Sequence, residues 1–359
     1  MKHSREFHLI LHGATGFTGR LAAEELHRNA PKGLRWAVSG RTSEKVNALA
    51  QKYEVPGIVT ESLQNSDVES LASRTDVILS CAGPYSVFGT PLVQACVKYE
   101  THYADLSGEL PWIHQIIQQH HEICVQKKIT LIPSSGFDSV PSDLAVHSMR
   151  QALSRPCKLY GLFKIKGGLN GGTLHSGLAL AEKQTLSAPA PPSPFAIPYL
   201  KRWAAPFLMA PVNEDVVARS QSDFPYQEFL LVRTRGQASR MSGLLRLSTR
   251  MLASPFGRKL LRLFGPKPGQ GPSKKKIEEG FADLTLLAGS LEQPLAVHRW
   301  NWTGDPSNLI TVRCLVQTGL ALAAGEAKAC GVLTPSGALG SALTQRLLKI
   351  GAVQHQTLP

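Results

Sequence analysis

Phe7-His8-Leu9-Ile10-Leu11-His12-Gly13-Ala14-Thr15-Gly16-Phe17-Thr18-Gly19-Arg20 reads as an apolar strand, a glycine turn and the start of a helix. Phe7 to Leu11 supply the strand, and helix formers continue from Arg20 to His27. The turn has G-x-x-G-x-x-G spacing. Gly13 permits the sharp bend, and Gly16 lets the backbone approach a pyrophosphate. Gly19 lets the helix pack closely on the strand, with the diphosphate on the helix N-terminus. A glycine pattern alone is a weak signal, because ordinary turns carry glycine too. Its place after a first strand and before a helix points to a phosphate cradle made of Gly13, Thr15, Gly16, Phe17, Thr18 and Gly19.

Strand and helix signals keep alternating beyond this unit. Further strands are expected at Trp36 to Ser39, Gly57 to Thr60, Asp76 to Ser80, Thr101 to Asp105 and Ile129 to Pro133, with helices at Ser43 to Tyr53 and Pro91 to Tyr99. Such alternation implies an α/β fold with a Rossmann-type doubly wound parallel sheet. The second strand ends in Gly40-Arg41, where an NAD enzyme usually carries an acid for the ribose hydroxyls. A guanidinium pairs with a 2′-phosphate that an acid would repel, so NADP(H) is expected over NAD(H). The competing reading is a surface arginine covering the adenine face.

Three later stretches are distinctive: Cys81-Ala-Gly-Pro-Tyr-Ser-Val-Phe-Gly89, Thr101-His-Tyr-Ala-Asp-Leu-Ser-Gly-Glu109 and Ser135-Gly-Phe-Asp-Ser-Val-Pro-Ser-Asp143. With the Gly13 loop they closely resemble the saccharopine dehydrogenase-like oxidoreductases, a family that includes the bacterial trans-acting enoyl reductases of lipid biosynthesis. Gly171-Gly-Thr173, Gly271-Pro-Ser273 and Gly331-Val-Leu-Thr-Pro335 extend the resemblance over most of the chain. The resemblance implies an NAD(P)-dependent oxidoreductase whose second domain carries the substrate site. The implied reaction is enoyl reduction on a lipid-linked or apolar substrate. Saccharopine dehydrogenase proper ranks lower, because a substrate with several carboxylates needs an arginine cluster that these motifs lack. A non-catalytic, membrane-peripheral protein that kept the dinucleotide fold is the rival from another class.

The residues of these motifs have readings of their own. Gly83 and Pro84 follow the fourth strand at the carboxyl edge of the sheet, so their backbone is expected to line the cofactor. Tyr103 and Asp105 share one strand face and form a candidate acid/base pair, with Ser107 and Glu109 close behind. The alternative is a set of carboxylates that satisfy backbone donors. Asp138 is either a proton donor or part of the cap of the helix that follows, for which Ser142 and Asp143 also stand ready. Tyr160 and Lys164 match the Y-x-x-x-K spacing of short-chain dehydrogenases, but their segment alternates like a strand. That would separate them by ~13 Å, too far for a catalytic pair.

The chain has 359 residues, 43% hydrophobic and 18% charged, enough to bury one or two cores. Its six cysteines include no C-x-x-C pair, and no histidine or acidic spacing resembles a metal site, so reduced thiols and no metal are expected. No stretch is apolar for the ~20 residues a membrane span needs, and the N-terminal apolar run is too short for a signal peptide. A soluble cytoplasmic protein, peripheral to a membrane at most, is the expectation. The net charge of +13 sits almost wholly between Phe229 and Ile277, where twelve Lys and Arg residues meet no Asp or Glu. That concentration argues for a local electrostatic role and against nucleic-acid binding. Within residues 239–276, Leu244, Leu245, Leu247, Met251 and Leu252 form an apolar arc beside Arg246 and Arg250, and Phe256, Leu260, Leu261, Leu263 and Phe264 continue it. Two readings stand: a basic amphipathic segment on an anionic membrane surface, or helices packed on the second domain with solvated arginines.

The expected organisation is an NAD(P)-binding domain over residues 1–150 and an α+β substrate domain over residues 151–335, the latter a candidate dimerisation module for a homo-dimer. Residues 336–359 would form a C-terminal helix and tail packed back on the core. A helix is expected from about Thr173 to Leu186, a proline-rich linker over Ala188 to Pro198, and later strands at Glu228 to Val232, Ala282 to Leu287 and Val297 to Trp302.

Overall fold

A computed structural model of the chain describes residues 5–60, 65–168, 177–178, 181–182, 193–265, 267 and 269–358. The landmark Gly171-Gly-Thr173, most of the helix expected over Thr173 to Leu186 and the first part of the proline-rich linker lie outside these residues. Two compact units emerge. One comprises Met1–Phe137, Pro268–Gln270 and Thr311–Leu347; the other comprises Asp138–Lys267, Gly271–Ile310 and Leu348–Pro359.

The first unit holds a seven-stranded sheet built from β1 (Phe7–His12), β2 (Trp36–Gly40), β3 (Gly57–Val59), β4 (Thr75–Ser80), β5 (His102–Asp105), β6 (Thr130–Ile132) and β13 (Gly331–Val332). Its order is β13-β6-β5-β4-β1-β2-β3, and every pairing is parallel. Helices α1 (Phe17–Asn29), α2 (Ser43–Tyr53), α3 (Asn65–Ser73), α4 (Tyr85–Lys98) and α5 (Leu110–Gln126) connect the first six strands. Central strands are buried on both faces, which is why Leu9-Ile10-Leu11 and Val77-Ile78-Leu79 are continuous apolar runs without alternation. The strand order reverses between β1 and β4, and such a switch point opens a crevice at the carboxyl ends of the strands.

Six strands were expected in this sheet; the seventh, β13, arrives from nearly 200 residues further along. It is brought back by the helix Thr311–Ala323, which packs on α1, β4 and β5. Every residue from Thr311 to Leu322 except Arg313 is buried, as a helix apolar on nearly all sides must be. Gly319 makes the close approach to β4, since a Cβ there would lie 2.6 Å from the Leu79 methyls. The C-terminal helix expected as one piece is two, Pro335–Leu339 and Ser341–Lys349, broken where Gly340 takes φ +51°.

The second unit is built on another seven-stranded sheet. It comprises β7 (Leu159–Lys166), β8 (Phe195–Ile197), β9 (Arg202–Pro206), β10 (Tyr226–Val232), β11 (Phe281–Gly289), β12 (Pro294–Thr303) and β14 (Val353–Leu358). The order is β14-β12-β11-β7-β10-β9-β8, antiparallel except where β7 pairs with β10. Tyr160 and Lys164 both lie on β7, as strand residues. Helix α6 (Val140–Ala152) packs on β11 and β12, so the division falls near residue 137 where the sequence suggested 150. The buried stripe of α6 explains this: Val140, Leu144, Ala145, Val146 and Met149 face that sheet's core. Ser142 and Asp143 do not cap α6. Ser142 Oγ donates to Glu228 Oε2 at 2.6 Å, and Asp143 accepts from Ser220, tying the helix to its neighbours. The last residues, expected as a tail packed back on the core, add β14 to this sheet as an edge strand beside β12.

Because Gly319 allows the helix Thr311–Ala323 to press on Leu79, Gly319→Val should destabilise the chain by about 1–3 kcal/mol through overpacking. Leu79→Ala in the same chain should recover part of that loss, and a double-mutant cycle from thermal unfolding measures the coupling. Strict additivity would contradict the packing described.

Candidate dinucleotide site

At the switch point β1 ends in His12 and the chain bends at Gly13, whose φ of +73° favours glycine. A Cβ on Gly13 would lie 2.9 Å from the Ala82 amide nitrogen, so the loops after β1 and β4 touch through the missing side chain. The Ala14 N–H donates to Ser39 O at 3.0 Å and the Cys81 N–H to His12 O at 2.9 Å, pinning the turn to both neighbouring strands. Gly19 is the tightest point: a Cβ would sit 2.1 Å from Gly13 O and 2.7 Å from Ala14 Cα. Gly16 differs, because its nearest neighbour would be Gly13 O at 3.4 Å, an ordinary contact. It is the N-cap of α1, and no side chain bonds the first-turn N–H groups there. The loop therefore has two glycines required by the protein's own backbone and one whose missing side chain leaves open space beside a helix N-terminus. That cradle fits a diphosphate.

Gly40 ends β2 with Thr15 Oγ1 3.0 Å from the point a Cβ would occupy, and Arg41 follows with an exposed side chain. A cavity of about 520 Å³ opens between α1 and α2, its charged lining formed by Arg20, Lys45 and Lys52 with Glu24 as the single acid, beside Thr15 and Tyr53. Three cations in one lining suit an anionic ligand. His12, passed over in the sequence, is buried at the end of β1 with Nδ1 2.8 Å from Ser39 Oγ. Burial, with the Arg41 charge nearby, holds its imidazole down to about 4, so it is neutral near pH 7. Its place at the last position of a central strand, directly before Gly13, is the sequence signal that could have found it.

The Cys81-Ala-Gly-Pro84 loop carries a cis Gly83–Pro84 peptide and leads into α4. Burial pushes the Cys81 thiol up to about 12, with Asp105 adding to the effect, so it stays protonated and unreactive. Pro84, at the N-cap, has no polar side chain to serve α4. Glu109 does so from the loop after β5: its carboxylate accepts from Tyr85 N at 2.7 Å and Ser86 N at 2.9 Å, at the positive end of the helix. No local pattern announces a cap 24 residues away.

Tyr103 and Asp105 are brought together as alternation suggested, with the phenol donating to Asp105 Oδ2 at 2.8 Å. Asp105 Oδ1 accepts from Ser107 N (2.9 Å), Ser107 Oγ (2.7 Å) and Ser134 N (3.0 Å). Ser134 has φ +62°, a conformation this bond and Ser134 Oγ to Ser107 O at 2.6 Å hold in place. Asp105 is thus a hub that ties the loops after β5 and β6 together, and both Tyr103 and Asp105 are fully buried. Burial outweighs these donors and raises the Asp105 carboxyl to about 6; burial also holds the Tyr103 phenol well above its ordinary value. Asp138 stands apart, as the first residue of the second unit. It is half-buried, burial raises its carboxyl to about 6, and among the described residues no hydrogen bond to that carboxyl is found. No cluster of His, Cys, Asp and Glu suited to a metal occurs among the described residues.

Residues 9–132 match the saccharopine dehydrogenase NADP-binding domain family. The chain is 31% identical, over 98% of both chains, to a Mycobacterium tuberculosis protein whose name places it among the trans-acting enoyl reductases. It is 30% identical, again over 98% of both, to the trans-acting enoyl reductase of Mycobacterium bovis. Among solved structures it resembles apo saccharopine dehydrogenase (L-Glu forming) of Saccharomyces cerevisiae, with a TM-score of 0.59 and 11% identity over 98% of this chain and 100% of that one. The Legionella pneumophila homospermidine synthase in complex with NAD follows, with a TM-score of 0.54 and 9% identity over 98% and 92%. At such identities these two likenesses describe the fold.

The unequal glycines separate folding from binding. Gly16→Ala should fold with a loss near 1 kcal/mol, the usual cost of alanine at an N-cap, yet weaken NADPH binding at least about tenfold because a methyl enters the phosphate space. Gly19→Ala should lose fold and binding together; thermal unfolding and cofactor-fluorescence titration check both. For Asp105 the sign follows from its raised carboxyl. The folded chain binds more protons than the unfolded one between 3.8 and about 6, so this group's contribution to stability falls as pH rises through that window. Asp105→Asn removes the titration, so its deficit against wild type should be greater at pH 4.5 than at 7.5, by about 3 kcal/mol at most.

Proposed function

We propose, starting from the fact that this chain belongs to the saccharopine dehydrogenase-like family of NAD(P)-dependent oxidoreductases, that it is an NADPH-dependent reductase of an activated carbon–carbon double bond in an apolar, lipid-linked substrate. The observation that carries the reading is the glycine cradle at the β1/β4 switch point, where Gly13 and Gly19 are tight against backbone and Gly16 is open. The names of the mycobacterial relatives supply the double bond, and the apolar character of the substrate rests on the resemblance alone.

The first-turn N–H groups of α1 hold the diphosphate, and Gly16 keeps the approach clear. Arg41 would pair with a 2′-phosphate, which favours NADP(H) over NAD(H), and neutral His12 would neither compete for that phosphate nor repel Arg41. Gly83 and Pro84, after β4 at the carboxyl edge of the sheet, would line the nicotinamide side of the cofactor. NADPH, when bound, supplies a hydride to the substrate. Tyr103 and Asp105 are positioning residues that keep the loops after β5 and β6 in place, since both are fully buried and Asp105 accepts from Tyr103, Ser107 and Ser134. Of the three acid/base candidates, Asp138 is the one with no hydrogen bond to its carboxyl among the described residues, and we assign it the proton that completes the reduction. It must be protonated to act, and that form dominates below about 6.

Arg41→Glu should raise the KM for NADPH more than about tenfold with little change for NADH. Asp138→Asn should lower kcat by about 10²–10⁴ and abolish the fall of kcat above pH 6 that the wild type should show. Turnover across a panel of enoyl-thioesters of increasing chain length tests the substrate class. NADPH binding with no oxidation over the whole panel would overturn the reductase reading in favour of a non-catalytic dinucleotide-binding protein.

A further inference from the structure

The helix Pro255–Phe264 turns its apolar side to the solvent. Phe256 is 76% exposed, Leu263 70% and Phe264 77%, and Leu260 beside them is exposed too. At 100° per residue these four fall within an arc of about 100°, whereas Arg258, Lys259 and Arg262 occupy the other side. A helix lying on a protein core does the reverse. At its start a Cβ on Gly257 would meet Met251 O at 2.3 Å, so the helix is pressed against the end of the preceding helix, Arg235–Ala253. That helix packs on β9 through its first half, with Ala238 and Ser242 buried, and then presents Leu244 and Leu247 outward at 66% and 55% exposure. Local capping fixes both helices. Thr234 and Gln237 form a reciprocal box at the first, and Ser254 Oγ accepts from Gly257 N at the second.

Six large apolar side chains on two consecutive helices exceed the scattered exposure normal for a protein surface. Within their own stretch of sequence the charge is of one sign: no Asp or Glu occurs between Phe229 and Ile277. Arg246, Arg250 and Lys259 are exposed; Arg258 caps the carbonyls of Leu252 and Ala253, and Arg262 pairs with Glu182. Exposed apolar groups flanked by long cationic side chains suit an interface with an apolar interior and an anionic rim, which is the boundary of an anionic bilayer. None of the described helices is long and apolar enough to cross a membrane, so such an attachment lies in the plane of the surface.

We infer that the helices Arg235–Ala253 and Pro255–Phe264 dock this chain on anionic lipid, with Phe256, Leu260, Leu263 and Phe264 entering the acyl boundary and Arg246, Arg250 and Lys259 meeting the headgroup phosphates. This does not depend on the reaction proposed above.

The test is flotation of the full-length protein with vesicles of phosphatidylcholine alone and of phosphatidylcholine with added phosphatidylglycerol, at low and high salt. Wild type should float with the anionic vesicles at least tenfold more than with the neutral ones, and less at high salt. Leu263→Asp with Phe264→Asp should lose at least tenfold of that binding, as should Arg250→Glu with Lys259→Glu. Both pairs are exposed, so unfolding temperature and NADPH affinity should stay at wild-type values; Phe264→Ser serves if the double aspartate variant does not fold. Absence of flotation, or binding unchanged in the variants, overturns the inference. So does a wild-type dimer that the aspartate variant converts to monomer without any vesicle binding, because the face would then belong to a second copy.

Discussion

A carbonyl oxygen and a missing methyl group set the geometry on which the first unit depends. Gly19 lies so close to Gly13 O that any side chain would displace the backbone, and that approach presses α1 onto the end of β1. With the helix there, its N-terminal amides point over the switch point and Gly16 leaves the space above them open. The same bend brings Gly13 against Ala82, so the loop that begins α4 inherits its position from the first turn. Adding one methyl at Gly19 would move both loops at once.

Around this contact the polar groups are arranged to hold loops. Glu109 satisfies the amides that open α4, and Asp105 gathers donors from the loops after β5 and β6. Buried carboxylates are costly unless their acceptor sites are filled, and here they are filled by groups at the carboxyl edge of the sheet. The cofactor region therefore has a rigid floor. Asp138 differs, in that no hydrogen bond to its carboxyl is found among the described residues.

The second unit works differently. Its mixed sheet has few residues that announce a ligand, and its strongest feature is a pair of helices whose apolar side is turned away from the protein. The concentration of cations in the same segment gives that face a polarity of its own, set apart from the nearly neutral remainder of the chain.

The glycine turn between β1 and α1 and the arginine after β2 were legible because each rests on near neighbours in the chain, and the parallel sheet because strand and helix signals alternate. Strand β7 was legible for the same reason, since alternation is local. What the sequence could not decide are pairings across long separations. Glu109 as the cap of α4, Ser142 and Asp143 as ties to distant partners, β13 as the seventh strand and β14 joining the second sheet all require knowing which segments meet. The amphipathic helices make the point most simply. Periodicity fixes which side of Pro255–Phe264 is apolar, but a helical wheel is the same whether that side faces a core or water. Only the tertiary structure, in which Phe256, Leu260, Leu263 and Phe264 are left exposed, decides that it faces out.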